Sequence, residues 1–487
     1  MRQRVVVLGS GVNELVAARY LANSGCDVTV LAGLAPAEER FEAGWIPPRI
    51  VRDLDLARFG LEIVEADPLA AVLPSGEHLE LTRDLRRSAE AIARISASDA
   101  AKWPQFCERM HTLAGFLERL YCAPPPDLLA TSFRGLGALA GSALRVRKLG
   151  RDRMHDLFRL ATMSAADLLD EWFESDSLKG LLGGLAVTHL AQGPRAGGTA
   201  FNLLHHHVGS APGVFRPPYS NVRSVLLRRA EGETRNAAAA RIEVHEGRVR
   251  KVVLENGEAV EADAVVSGLT PARTLLELSD PGLLDPDLVR AIRHVRSRGV
   301  AARIALTLDR APRFTTLVLA PSLDALERAY DDFKYGRISR NLYLEARCIG
   351  AARQGQHGLE VHVQYVPHEI EGAGWDTESA SRLARTVNAA IAEHVPGFAG
   401  WVMDQHVMTP ADLEHISGCP EGQPYHAELG LDQIFWMRPV PALAHYRTPI
   451  DGLYLCGPAM HPGGGIAGAA GANAASVVLR DLKKRKA

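Results

Sequence analysis

Two strand-to-helix corners broken by glycine stand near opposite ends of the chain. Together they restrict the fold more than anything between them. At the amino end, Val5 to Leu8 is an apolar strand and Gly9-Ser10-Gly11 a glycine turn. Val12, Asn13, Glu14 and Leu15 then open a run, lasting to Leu21, with apolar residues at helical spacing. Gly25 stops it, and Val28 to Leu31 is a second apolar strand. This is the opening βαβ unit of a dinucleotide-binding fold, with Gly9 for the tight turn and Gly11 for close backbone approach to a pyrophosphate. At the carboxyl end, Leu453 to Cys456 reads as a strand, and Gly457, Pro462 and Gly463 to Gly465 break it. The Ala-rich run after Ile466 and Gly468 favours helix. Three glycines at that expected helix start let backbone N–H groups approach a ligand, and the positive dipole end suits an electron-rich group. The alternative for this segment is a tightly packed strand–helix corner.

Two parts of the dinucleotide fingerprint are missing. Its third glycine is Glu14, and the acidic residue expected at the end of the second strand is Ala32. Losing one charged hydrogen bond to a ribose costs roughly 1.5–3 kcal/mol. A carboxylate in the first helical turn suits the helix dipole of an empty protein but competes with a bound diphosphate. The glycines therefore predict the fold better than the ligand.

A chain of 487 residues is long for one core, so two or three interleaved lobes are expected. A net charge of −2 argues against a general polyanion binder, and no nucleic-acid partner is expected. The six cysteines are scattered with no CxxC pair, which argues against a metal site or redox dithiol and suits a reducing compartment. No apolar run reaches transmembrane length and the N-terminus enters a strand at once, so the expected location is cytoplasmic.

Residues 34–60 read as an irregular link with Pro36, Pro47 and Pro48. Ser88 to Tyr121 carries a helical apolar face through Trp103, Phe106, Met110, Leu113 and Leu117, ended by Pro124-Pro-Pro126. A second helical block reaches Leu190. From Arg241 the period becomes that of strands, and Asn256-Gly257 is a two-residue hairpin signal within a small antiparallel meander. Residues 291–444 mix strands (Val300 to Leu308, Leu359 to Val366) with a helix, Thr377 to His394.

These segments resemble the phytoene desaturase and carotenoid isomerase branch of FAD-dependent oxidoreductases. The resemblance is carried by Gly198-Thr-Ala-Phe-Asn-Leu-Leu-His205-His206, Glu255-Asn-Gly257, Ala262 to Ser267, Gln364 to Pro367, His394 to Phe398, Thr409 to Glu414, Leu431 to Gln433, Arg438 to Pro441 and the C-terminal glycines. It is strong from about residue 195 to 485 and weaker before. It implies an α/β fold: a Rossmann-like, glutathione-reductase-type FAD-binding domain (1–60 with 195–290 and 445–487), a helical insertion (61–194) and a mixed α+β substrate domain (291–444). It also implies one FAD, with its adenosine diphosphate at Gly9 to Leu15 and its flavin near Gly464, Gly465, Ile466 and Gly468. A reduced flavin gains negative charge, which helix-end donors would stabilise. The implied substrate is an apolar small molecule, altered by carbon-to-flavin hydride transfer or redox-neutral isomerisation.

Departures from the family pattern gather on the cofactor side. Besides Glu14 and Ala32, Gly33 to Pro48 is short and lacks the glycine-rich stretch that wraps a flavin. Arg216-Pro-Pro-Tyr219-Ser-Asn221 replaces a Gly-Gly-Met-like turn. No catalytic residue is identified. Consecutive residues of a helix point in different directions, so His205-His206-His207 is expected to be structural rather than a metal site. His461, beside the glycine turn, either lies near the flavin ring or packs a helix start, and Tyr365 and Arg438 either line the substrate cavity or satisfy buried backbone. The basic stretch Arg145, Arg147, Lys148, Arg151 and Arg153 is a solvated helix face or a peripheral membrane contact. Two readings stay open: an FAD-dependent oxidoreductase, and a flavin-free relative that keeps the fold for binding or assembly.

Overall fold

The computed structural model describes residues 2–485 except 34–41, 66–67, 73–77, 127–132, 231 and 354. The first strand, β1 (Arg4–Leu8), is apolar and buried from Val5 onward, as a central parallel strand covered on both faces requires. The helix α1 (Val12–Asn23) follows Gly11 and leads to β2 (Asp27–Leu31), parallel to β1 with Val5 opposite Val28. A parallel five-stranded sheet results, in the order 453–455, 264–267, β1, β2, 234–235. The chain is thus an α/β protein built around a Rossmann-like sheet, as its first thirty residues predict.

The antiparallel meander comprises Ala239–His245, Arg248–Leu254 and Ala259–Glu261. Gly257, at a φ of 84°, turns the Asn-Gly hairpin, and the chain returns to the parallel sheet at Ala264–Ser267. A second, seven-stranded sheet runs in the order 402–408, 301–308, 356–364, 343–353, 316–319, 69–72, 78–81. Along Ala301–Leu308 the alternation is strict. Ala302, Ile304, Leu306 and Leu308 face a core shared with Leu383, Ala384, Val387 and Ile391 of the helix Thr377–Ala392.

Three boundaries differ from expectation. Residues 69–81, expected inside a helical insertion, add two strands to the edge of the second sheet. Each is only four residues long, too short for the alternation of Leu79 and Leu81 to stand out from helical neighbours. The helical stretch 88–121 is split, because Ser96 accepts a hydrogen bond from the Asp99 amide and caps a new helix, Ala97–Tyr121. The last helix spans Ala469–Lys484 and opens at Gly468, not within Gly463–Gly465. Its first turn lies on α1. A methyl group on Gly468 would crowd Val16, and one on Gly471 would collide with the Asn13 carbonyl. Those two glycines serve close helix packing, and the three before them form a turn. No helix among the described residues is long and apolar enough to cross a membrane.

Candidate functional site

The carboxyl ends of β1 and of the strand Ala264–Ser267 lie side by side, where a doubly wound sheet presents its ligand crevice. Gly9 turns the chain there at a φ of 103°, and Gly11 is the N-cap of α1 with no side-chain cap of its own. Gly268 follows the neighbouring strand, and Gly457 packs against the Gly268 carbonyl. These glycines make a cradle, and Glu14 fills it. A Cβ on Gly11 would stand 2.5 Å from Glu14 Oε2 and one on Gly9 3.1 Å from Glu14 Cγ, while one on Gly268 would collide with the carboxylate. Glu14 is 5% exposed. Burial pushes its carboxyl above the ordinary value, against the opposing pull of its own and Gly11's backbone amides, His426 and Arg223.

Two neighbours, Arg223 and His426, pull against that rise. Arg223 is buried and its Nε donates to the Ser10 carbonyl at 3.1 Å. Burial alone would pull the His426 imidazole down, but hydrogen-bonded Cys419 and nearby Glu14 outweigh it and hold His426 above its ordinary value. Burial would raise the Cys419 thiol, yet His426 leaves it lowered. His426 and Glu421 both sit in the left-handed region, at φ of 56° and 51°, in the loop that carries this pair. Arg223, Cys419 and His426 were not among the sequence candidates. They come from distant segments with no motif spacing, and only Glu14 standing at a glycine position hinted at a replacement.

The C-terminal turn is also filled from within. The Tyr425 ring lies where a Cβ on Gly464 would be, with its hydroxyl 3.5 Å from a Cβ built on Gly465. The Trp45 carbonyl accepts from the Ala467 amide at 2.7 Å, and the Trp45 amide donates to the Gly465 carbonyl at 2.9 Å, tying Ile466 into a short bridge. Pro462 precedes this turn and follows His461 through a cis peptide bond. Of the candidate residues, Gly9, Ser10, Gly11, Glu14 and Gly457 therefore converge on the cradle. Gly464, Gly465 and Ile466 meet Tyr425 and Trp45 instead. Val12, Asn13 and Leu15 serve packing: Leu15 lies in the core with Val12 against it, and the Asn13 side chain accepts from the Gly471 amide at 3.4 Å.

Residues with two readings resolve toward structure. Arg438, fully buried, donates to the carbonyls of Tyr425, Ala427, Glu428, Gln433, Pro458 and Met460. Tyr365 donates to the Gln192 carbonyl at 2.7 Å. The His205 ring joins Tyr121 Oη at 2.8 Å and the Gly464 carbonyl at 2.7 Å, His206 lies against Leu185 and Tyr425, and His207 stacks on Phe215. Three consecutive histidines thus serve three separate contacts. No cluster of three or more metal-ligating side chains occurs among the described residues.

An FAD entering this crevice would meet three obstacles. The diphosphate seat is taken by a carboxylate, Ala32 offers the ribose no side-chain acceptor, and Tyr425 covers the face of Gly464. As arranged, these residues do not fit the cofactor.

The architecture is nevertheless that of an FAD-type oxidoreductase. A solved putrescine oxidase variant superposes with a TM-score of 0.61, covering 99% of both chains at 14% identity, a likeness of fold. The pyridine nucleotide-disulfide oxidoreductase domain-containing protein 2 of Rattus norvegicus is 31% identical over 98% of this chain and 93% of its own length. The chain belongs to that protein's family. A limonene dehydrogenase subunit of Castellaniella defragrans is 23% identical over 98% of this chain and 94% of its own length. No family model matches the sequence.

Proposed function

We propose that this chain is a flavin-free member of its oxidoreductase family, retaining the fold as a binding or assembly protein. One observation carries the reading: the Glu14 carboxylate lies within the Gly9, Gly11 and Gly268 cradle that a cofactor diphosphate would need. A diphosphate brought there would overlap the Glu14 side chain and could not reach the backbone amides of the Gly9 to Gly11 turn. The Castellaniella defragrans relative is by its name one subunit of a limonene dehydrogenase, which favours an assembly role here too.

The competing reading is an FAD-dependent oxidoreductase acting on an apolar small molecule. The intact turn at Gly9 and Gly11 and the family membership favour it. It requires Glu14 to leave the cradle and Tyr425 to leave Gly464. The absorption spectrum separates the two. Protein purified after expression with ample flavin, and again after incubation with FAD and desalting, should show no flavin band. A band retained at one flavin per chain and released on denaturation would overturn the proposal.

A further inference from the structure

The seven-stranded sheet ends on the strand Val402–Met408, and no described strand pairs with its outer edge. Met403, Asp404, Gln405 and His406 are all exposed, Met403 at 58%. An open edge of this length offers its amides and carbonyls to another extended chain, and proteins commonly guard such an edge with lysine or proline. This strand holds neither.

The backbone fixes which groups point outward. The Gln405 amide donates to Asp404 Oδ1 at 2.9 Å, so it faces off the sheet and is covered only by an exposed carboxylate. Successive residues of an antiparallel ladder turn inward and outward alternately, which places the Val407 amide and carbonyl outward too. The side chains are sorted by face. Gln405 and Val407 lie opposite Leu306 and Ile304, on the side of the Leu383–Ile391 core, where Asn388 Nδ2 donates to Gln405 Oε1 at 2.9 Å. Asp404 and His406, opposite Thr307 and Ala305, lie on the other face.

The sequence Val402-Met-Asp-Gln-His-Val-Met408 is complementary to its own reverse. Antiparallel to a second copy about Gln405, it sets Asp404 against the second copy's His406, His406 against the second copy's Asp404, and Met403 against Val407. The two Gln405 residues then exchange backbone hydrogen bonds. Asp404 and His406 fall in the pairs that make none, where facing side chains stand closest. An imidazole N–H can donate to a carboxylate whether or not the ring is charged. A two-fold axis at Asp404 or His406 would instead oppose like residues and lose both contacts. The bulge at Met403, where Val402 and Asp404 oppose the consecutive Leu308 and Thr307, lies beyond the three central pairs.

We infer that a second copy of this chain docks on this strand, joining two sheets edge to edge about Gln405. One pair of seven-residue strands is smaller than the roughly 1,200–2,000 Å² of a standard interface, so the dimer is weak and concentration-dependent. It forms whether or not FAD binds.

Sedimentation velocity of the full chain from about 1 to about 200 μM tests it, and should show a monomer–dimer equilibrium. His406→Asp sets carboxylate against carboxylate twice and should weaken association at least about tenfold. Adding Asp404→Lys restores opposite charges and should recover the dimer, a rescue that damage to the fold could not produce. Gln405→Cys places two thiols across the axis with Cα atoms about 5.5 Å apart, and mild oxidation should link that variant, but not the parent, into a dimer. The inference falls if the parent stays monomeric throughout the range, or if folded His406→Asp associates like the parent. It falls equally if the double variant does not recover, or if Gln405→Cys forms no interchain disulfide.

Discussion

Replacing Glu14 with glycine restores the residue a dinucleotide-binding turn would carry. Glu14 is the third residue of α1, and glycine there costs roughly 1 kcal/mol in helix propensity. The change also removes a carboxyl whose burial outweighs the pull of His426 and Arg223, so losing its charge adds no cost of its own. The variant should therefore lose about 1 kcal/mol in urea denaturation at neutral pH. The opened cradle, however, presents backbone amides and a helix start to a diphosphate. FAD at a hundred times its dissociation constant would return about 2.7 kcal/mol. The urea midpoint of the variant should thus rise with FAD while that of the parent stays still. An equal rise in the parent would refute this, since it requires a cradle already open.

Adding Ala32→Glu to Glu14→Gly should tighten FAD binding roughly tenfold over the single variant, the worth of one charged hydrogen bond; equal affinities in a fluorescence titration would mean the ribose does not reach residue 32. Glu14→Gln keeps shape and removes charge. Because burial holds the Glu14 carboxyl above its ordinary 4.5, the folded chain binds that proton more tightly than the unfolded chain. That stability is full below pH 4.5 and is lost as pH rises through the shifted value. Urea midpoints of parent and Glu14→Gln should converge at acid pH, with the glutamine variant ahead toward neutrality; a parent that gains on the variant as pH rises contradicts the assignment. His207 has no hydrogen-bond partner for either ring nitrogen among the described residues and stacks on Phe215 with ring centres 4.4 Å apart. His207→Phe should therefore stabilise the chain by about 1 kcal/mol, and a clear loss in thermal denaturation would show that the ring has a partner.

The parallel sheet was legible because its strands are short apolar runs joined to a helix of the right period, and local pattern suffices for such a unit. The hairpin at Asn256-Gly257 was legible for the same reason. What could not be read were meetings between distant segments. Tyr425 reaches Gly464, and Trp45 reaches Gly209 and Gly465, across long separations that leave no spacing to detect. The glycine run at 463–465 illustrates the limit. Its composition says that something must approach closely, but the approaching group is a tyrosine ring of the same chain. Glu14 was the exception, since a charged residue at a position reserved for glycine marks a changed function even before its surroundings are known.

A crystal structure of the full chain grown with excess FAD tests the central claim most directly. The Glu14 carboxylate should still be seated between Gly11 and Gly268, with Tyr425 still on Gly464 and no flavin between them. Flavin density with its diphosphate on Gly9 and Gly11, and Glu14 turned away, would contradict it.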